Sequence, residues 1–414
     1  MRILVMTPDW PYPPHQGTAL RNWQLLQAAA ASEHEVHLLS LAPAPPTLEA
    51  AQAVRAVTVS ADWLPAPQRS LRQRLATLMG TPLPDMARRL WSPALVERAT
   101  DVIATARVQV VQAEGLEVAG MVLAATARAR PRLSGRQVPV LFDAHNAEWL
   151  LQRSAALVDL RQPRRWLRML YSLAQWQRLH RYEAALIRAA ALTTAVSPED
   201  AHALSRLTGC PVRVVPNGIA MESWRHVADV RLEQRFEPNT LLFTGKLDYR
   251  PNVDALRWFC TAVLPRVRAQ HPAARLLIVG RDPVPAVRAL AGPGVEVVGE
   301  VPEIQPYFAR AAVYVIPMRM GSGARIKLLE AWAAGVPVVA TTPGAAGLAA
   351  RADEHLLVAD DPATLATQIG RLLADPALGR RLAAAGRALA AARYDWSVIR
   401  PQLLACYREL CPDE

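Results

Sequence analysis

Short, β-branched apolar runs alternate with longer helix-forming stretches along almost the whole chain, in two series separated by a stretch where the pattern lapses. This alternation is the tightest constraint on the fold. Strands joined through helices call for parallel sheets covered on both faces. The first series predicts strands near 2–6, 36–41, 57–59, 108–112, 138–142, 192–196 and 212–215. The second predicts strands near 240–244, 275–279, 295–298, 313–316, 337–340 and 356–358, with helices at 252–270 and 324–334. Periodicity fades over 217–239, which reads as a linker near 219–238. The expected architecture is α/β: two Rossmann-like domains with parallel sheets, spanning 1–220 and 221–395. A cleft is expected between the carboxyl ends of the two sheets, where open α/β folds hold ligands.

A length of 414 residues suits two such domains at about 150 residues each. Apolar residues make up 51% and charged residues 20%, which excludes a mostly disordered chain. Cys210, Cys260, Cys406 and Cys411 are scattered without ligand spacing, so neither a zinc site nor a disulfide framework is indicated. No apolar run reaches the ~18–20 residues that span a bilayer. The opening RILVM meets Pro8 and Pro11 at once and reads as a buried first strand of a cytosolic protein. A net charge of +11 first suggests nucleic acid, but no nucleic-acid-binding motif accompanies it. The basic residues are almost all arginine. Lys246 and Lys327 are the only two lysines, which makes both conspicuous.

Residues 151–190 carry eight arginines (153, 161, 164, 165, 168, 178, 181, 188) among Trp166, Leu170, Leu173, Trp176 and Leu179 at helical spacing. Such a helix either lies on an anionic membrane surface or turns its Trp/Leu stripe to the core and its arginines to water.

Four constellations carry chemistry. Gly17 closes a proline-rich loop before a helix, a place where backbone can approach a phosphate or simply turn. In FDAHNAE (142–148) a strand drops Asp143, His145, Asn146 and Glu148 at its carboxyl edge, and His145 leads into the expected cleft. Asn146 and Glu148 also suit an ordinary helix cap. In FTGKLDYRPN (243–252) Gly245, Lys246 and Arg250 sit at a strand-to-helix junction and suit an anionic ligand. PMRMGSGARIKLLEAWAAGVP (317–337) is the most specific. A glycine-rich loop with Ser322 and Gly323 opens a helix at Ala324, Arg325 and Lys327 add charge, and Glu330 suits a grip on vicinal hydroxyls.

Together with VSPEDAHAL, VRVVPNGI, RLLIVGRDP, VEVVGEVPEIQPYFARAAVYVIP and the terminal YDW, these strings resemble retaining glycosyltransferases of family 4, over nearly the whole length. The resemblance implies the GT-B fold, with a last helix in 396–414 crossing back to the N-terminal domain. It implies a UDP- or GDP-linked hexose donor, no metal and no further cofactor. Lys246 matches the first basic residue of the family's diphosphate pair. The second position holds Asn252, and Arg250, Arg325 or Lys327 is expected to substitute. Glu330 matches the second Glu of the E-x7-E motif and Ser322 falls where the first would be, read as a subfamily trait. His145 matches the histidine near the sugar's reacting face. Catalytic roles are thus expected for His145, Lys246, Arg325 and Lys327, and binding roles for Gly17, Gly245, Arg250, Ser322, Gly323, Ala324 and Glu330. The expected acceptor is a glycan or lipid-linked sugar in exopolysaccharide or cell-envelope synthesis, at the inner face of the membrane. The alternatives are a soluble small-molecule acceptor and a GT-B-like protein without transferase activity.

Overall fold

In the computed structural model, β1 (Arg2–Thr7) is buried from Ile3 onward, as an apolar run inside a sheet covered on both faces requires. The structure describes residues 1–14, 17–69, 81–160, 166–232, 236–320 and 326–412. The chain divides into two units, Met1–Pro216 with Arg400–Glu414, and Asn217–Ile399.

The first unit is a seven-stranded parallel sheet in the order β3-β2-β1-β4-β5-β6-β7. Its further strands are β2 (Glu35–Ala42), β3 (Ser60–Pro65), β4 (Val110–Glu114), β5 (Val140–Ala144), β6 (Leu192–Ala195) and β7 (Arg213–Val214). The strand expected at 57–59 lies instead at Ser60–Pro65. Val57 and Thr58 finish the preceding helix: Val57 N–H and the Thr58 hydroxyl both donate to the Val54 carbonyl. Pro65 fits the edge position of β3, where a missing N–H costs no ladder bond.

The second unit is a six-stranded parallel sheet in the order β10-β9-β8-β11-β12-β13. Its strands are β8 (Thr240–Thr244), β9 (Arg275–Val279), β10 (Val295–Gly299), β11 (Val313–Ile316), β12 (Val338–Ala340) and β13 (Leu357–Val358). Both sheets are α/β layers of Rossmann type. The helix expected at 252–270 runs from Arg250 to Gln270 with a π turn at Phe259–Val263. Pro265 explains the turn, since it has no N–H and its ring would clash with the carbonyl four residues back.

The linker expected near 219–238 is not one. Ile219 bridges Asp395, a 3-10 turn covers Met221–Trp224, and a helix follows at Arg225–Leu232. Trp224 is buried and meets Phe308 edge to face at 5.1 Å, so this stretch belongs to the core of the second unit.

The arginine-rich segment forms helices Glu148–Leu160 and Trp166–Ala189. The side chains of Trp166 and Leu170 fall outside the described residues. Leu173 and Trp176 are only partly covered, while Ser172, Gln175, Leu179 and Glu183 are buried. The inward face is thus more polar than the Trp/Leu stripe suggested. It is polar because it serves backbone: Gln175 accepts from Asp85 N–H at 2.9 Å, and Glu183 accepts from Glu148 and Trp149 N–H at 3.0 and 2.6 Å. Among the described residues no helix is long and apolar enough to cross a membrane.

Candidate functional site

In the first unit, β4 and β5 lie side by side and end in Glu114 and Asp143–Ala144, with His145 following at once. Parallel strands bring their carboxyl ends together, so residues separated by a helix in sequence become neighbours. His145 Nε2 lies 3.0 Å from Glu114 Oε2 and 3.7 Å from Asp143 Oδ2. Asp143 is in turn gripped by Arg21 from the helix Gly17–Ala31: Nε and Nη2 donate to its two oxygens at 2.6 and 2.8 Å. Thr194 of β6 donates to the same carboxylate at 2.5 Å, and Arg21 Nη1 also reaches Pro216 O at 3.1 Å. Glu114 accepts from Gln112 Nε2. The Asn22 amide stands 2.7 Å from Glu114 Oε2 and 3.3 Å from Thr18 O; with two acceptors facing it, the atom on that side is assigned as Nδ2, which donates to both.

Burial alone would push the Asp143 carboxyl up, but the Arg21 guanidinium outweighs it and holds Asp143 well below the usual carboxylate range. Burial, and then Asp143, push Glu114 up, with His145 pulling it back. Burial disfavours the charged form of His145, yet the hydrogen bond to Glu114 and the charge of Asp143 win, and its pKa is raised. Glu114, Asp143 and His145 each offer a ligand atom within 4.8 Å of the others, a spacing that could hold a metal ion. The donor set speaks against one. Arg21, Thr194, Gln112 and Asn22 already donate to these carboxylates, and a cation would share the place with a guanidinium.

His145 opens onto a cavity of about 220 Å³ lined by Asp9, Thr18, Arg89, Glu117, Asn146 and Glu148 among others. Gly115 lies in its wall with φ +87°; a Cβ there would stand 3.2 Å from Glu117 Oε2 and 3.5 Å from His145 Nδ1. Arg89 pairs with Glu117. Burial, and then Glu117, push the Glu148 carboxyl up to about 7. Asn146 does not cap the helix that starts at Glu148; it donates to Glu148 Oε1 at 3.0 Å, and the helix N–H groups go to Glu183. Gly17 opens its helix, but the residue lining the cavity is its neighbour Thr18.

In the second unit, β8 ends at Thr244 and runs into Gly245 (φ +148°) and Lys246. Lys327, from the helix Ile326–Ala333, donates to Thr244 O at 3.0 Å and to Asn252 Oδ1 at 3.1 Å, with its ammonium 4.4 Å from the Phe243 ring centre. Asn252 Nδ2 donates to Lys246 O at 2.8 Å. Lys327 therefore occupies the space beside position 252. Lys246 is exposed and lies 3.3 Å from Asp248 and 3.9 Å from Asp282. Arg250 is exposed at the start of its helix. Burial pushes the Glu330 carboxyl up to about 7, and Lys327 pulls against it. Ser322, Gly323, Ala324 and Arg325 lie outside the described residues.

Sequence reading missed Arg21, Glu114 and Asn22. For Glu114 a signal was present: Gln112 and Glu114 are polar residues inside a central parallel strand, where apolar side chains are the rule.

Two Rossmann-type units, each with polar residues gathered at its strand ends, define the class of GT-B glycosyltransferase folds. Residues 16–223, half of the chain, match the model of Glycosyltransferase Family 4, and residues 238–375 match Glycosyl transferases group 1. The chain belongs to glycosyltransferase family 4. A phosphatidyl-myo-inositol mannosyltransferase of Mycobacterium leprae is 35% identical over 201 residues, 47% of this chain and 52% of that protein. One of Propionibacterium freudenreichii subsp. shermanii is 34% identical over 227 residues, 51% and 55% of the two chains. The chain spans about half the length of the curated relatives it matches. Among solved structures, sucrose-phosphate synthase of Thermosynechococcus elongatus is similar with a TM-score of 0.70 and 20% identity, over the whole of both chains. Anabaena HepE, in complex with UDP and glucose, is similar with a TM-score of 0.68 and 14% identity over 99% of this chain and 100% of that one. These likenesses establish the GT-B fold.

Proposed function

We propose that the protein moves a hexose from a UDP- or GDP-linked donor to a hydroxyl of a glycan or lipid-linked acceptor, with retention of configuration and without a metal. The observation that carries this reading is His145. It stands in the wall of a polar cavity, fixed from behind by Glu114 and Asp143 with its pKa raised. Such a group hydrogen-bonds a sugar oxygen from a preorganised position. At the end of β8, Lys246 and Lys327, with Arg250, supply positive field for a diphosphate, and Gly245 lets the backbone approach it. Glu330 takes the ribose hydroxyls.

In the transfer, the bond from the anomeric carbon to the diphosphate oxygen breaks as the acceptor oxygen bonds on the same face. The acceptor's proton passes to the departing phosphate oxygen, so no separate carboxylate base is needed. The two relatives described above are by name phosphatidyl-myo-inositol mannosyltransferases, so a mannosyl donor and a polyol lipid headgroup are the first substrates to try. The cavity's carboxylates and amide suit hydroxyl groups. The expected place of work is the inner face of the cell membrane, with the arginines of 151–190 toward anionic lipid; failure to co-sediment with anionic vesicles at low salt removes that part.

Calorimetric titration of UDP and GDP without metal, on wild type and Glu330→Ala, tests the donor site. One nucleotide binding tightly, with the affinity lost in the variant, supports it. A folded protein that binds neither overturns it.

A further inference from the structure

We propose that Glu114 fixes a proton on Nε2 of His145, leaving Nδ1 as the atom that meets substrate, and that Gln112 and Tyr407 hold Glu114 to that role. The starting point is a one-way chain of hydrogen bonds. Tyr407, on the last helix, is hydrogen-bonded to Gln112 Oε1. Gln112 Nε2 donates to Glu114 Oε1. The opposite amide orientation would turn a carbonyl toward a carboxylate, so Tyr407 and Glu114 fix the amide between them. Asn22 donates to Glu114 Oε2 at 2.7 Å, and His145 Nε2 lies 3.0 Å from the same oxygen.

Donors reach both oxygens of Glu114, and Asp143, held ionised by Arg21, faces the same ring nitrogen at 3.7 Å. With carboxylate oxygens on two sides of Nε2, the proton between Glu114 and His145 sits on the nitrogen. The remaining ring nitrogen, Nδ1, lies on the side of Gly115, whose missing side chain leaves that wall bare. A histidine whose second nitrogen is fixed by a carboxylate has one defined tautomer and one working atom. Nδ1 accepts from a sugar hydroxyl while the ring is neutral and donates once it is charged.

The other charged groups around the ring are Asp143 on β5, Arg21 behind it, and Asp9, Arg89, Glu117 and Glu148 at the cavity. Arg21 opposes the imidazolium, and Asp143 and Glu114 favour it. Tyr407 does not line the cavity and is hydrogen-bonded to Gln112, so it is a positioning residue acting through Gln112 and Glu114.

What Nδ1 touches rests on the transferase reading; which nitrogen holds the proton does not. The test is therefore run on the full chain without any nucleotide. The ring nitrogens are followed by NMR in protein labelled with ¹⁵N-histidine, with His145 identified by the signals lost in His145→Gln. The expected wild-type result is an Nε2 that stays protonated throughout and an Nδ1 that titrates above the ordinary histidine value of about 6.5. Glu114→Gln is expected to lower that midpoint by about one unit or more. Tyr407→Phe is expected to lower it by less, with Nε2 broadened. A neutral His145 carrying its proton on Nδ1 overturns the proposal, and needs no substitution to be seen. An unmoved midpoint and unchanged Nε2 signal in folded Tyr407→Phe overturn the link to the last helix. Loss of nucleotide binding in calorimetry with the tautomer intact would count against the transferase reading alone.

Discussion

Gly245 and Gly280 meet backbone to backbone at the carboxyl ends of β8 and β9: a Cβ on Gly280 would lie 1.8 Å from the Gly245 carbonyl oxygen. The glycine at 280 is thus a condition for the Thr244–Gly245–Lys246 turn to exist where it does. Gly280→Ala is expected to destabilise the protein by about 3 kcal/mol or more, since the clash is with backbone, which cannot rotate away. Urea unfolding measures this. A loss under about 1 kcal/mol would mean that the two turns leave room for a methyl group between them.

Arg21 and Asp143 form a buried bidentate ion pair. Arg21→Met leaves a carboxylate buried without its main partner, at a cost of about 3–5 kcal/mol. Adding Asp143→Leu is expected to recover part of that stability, because the double variant strands no charge. Equal stability of the single and double variants would show that Asp143 finds its compensation elsewhere.

Glu148 titrates upward, to about 7, in the folded chain, against about 4.3 when unfolded. Between those values the native state holds the proton and the unfolded state does not, so this group's contribution is full below about 4.3 and is lost as pH rises through 7. Glu148→Gln keeps the shape and removes the titration. The Tm difference between variant and wild type should therefore shift in the variant's favour from pH 5 to pH 8. A pH-independent difference would place Glu148 in open solvent.

Lys327 and Asn252 share one place at the end of β8. Asn252→Lys alone sets a second ammonium against the first and removes an acceptor, and is expected to cost about 1–3 kcal/mol. Lys327→Met alone should weaken nucleotide binding. Carrying both changes moves the charge from one helix to the other, so the double variant should bind nucleotide better than Lys327→Met. Additive losses in calorimetry would show that the two positions do not substitute for one another.

Much of this was legible in the sequence. Nearly every strand fell where apolar, β-branched runs predicted it, because a strand buried on both faces can be little else. His145 was readable as a candidate because it follows a strand directly. What escaped depended on contacts between distant residues. Nothing local to Arg21 says that it pairs with Asp143 across 122 positions, and nothing near Glu148 says that Glu183 takes its helix's first N–H groups. The false linker near 219–238 had weak periodicity because it packs through Trp224 rather than along a continuous face. The strand misplaced at 57–59 was lost to Thr58, whose hydroxyl extends the preceding helix's hydrogen bonding.

Residues 400–414 belong to the same unit as residues 1–216. Leu403, Cys406 and Tyr407 are buried there, Arg400 donates to Gln24 at 2.7 Å, and Tyr407 reaches Gln112 in the middle of the sheet. The first unit is synthesised first but finished last. Its seven strands leave the ribosome long before the helix that covers them, and at ~5–20 residues per second the second unit emerges complete in the interval. A chain that stops short of residue 400 therefore holds a whole second unit beside a first one with its interior open to water. Loss of residues 400–414 would thus harm the oldest part of the chain and spare residues 217–399.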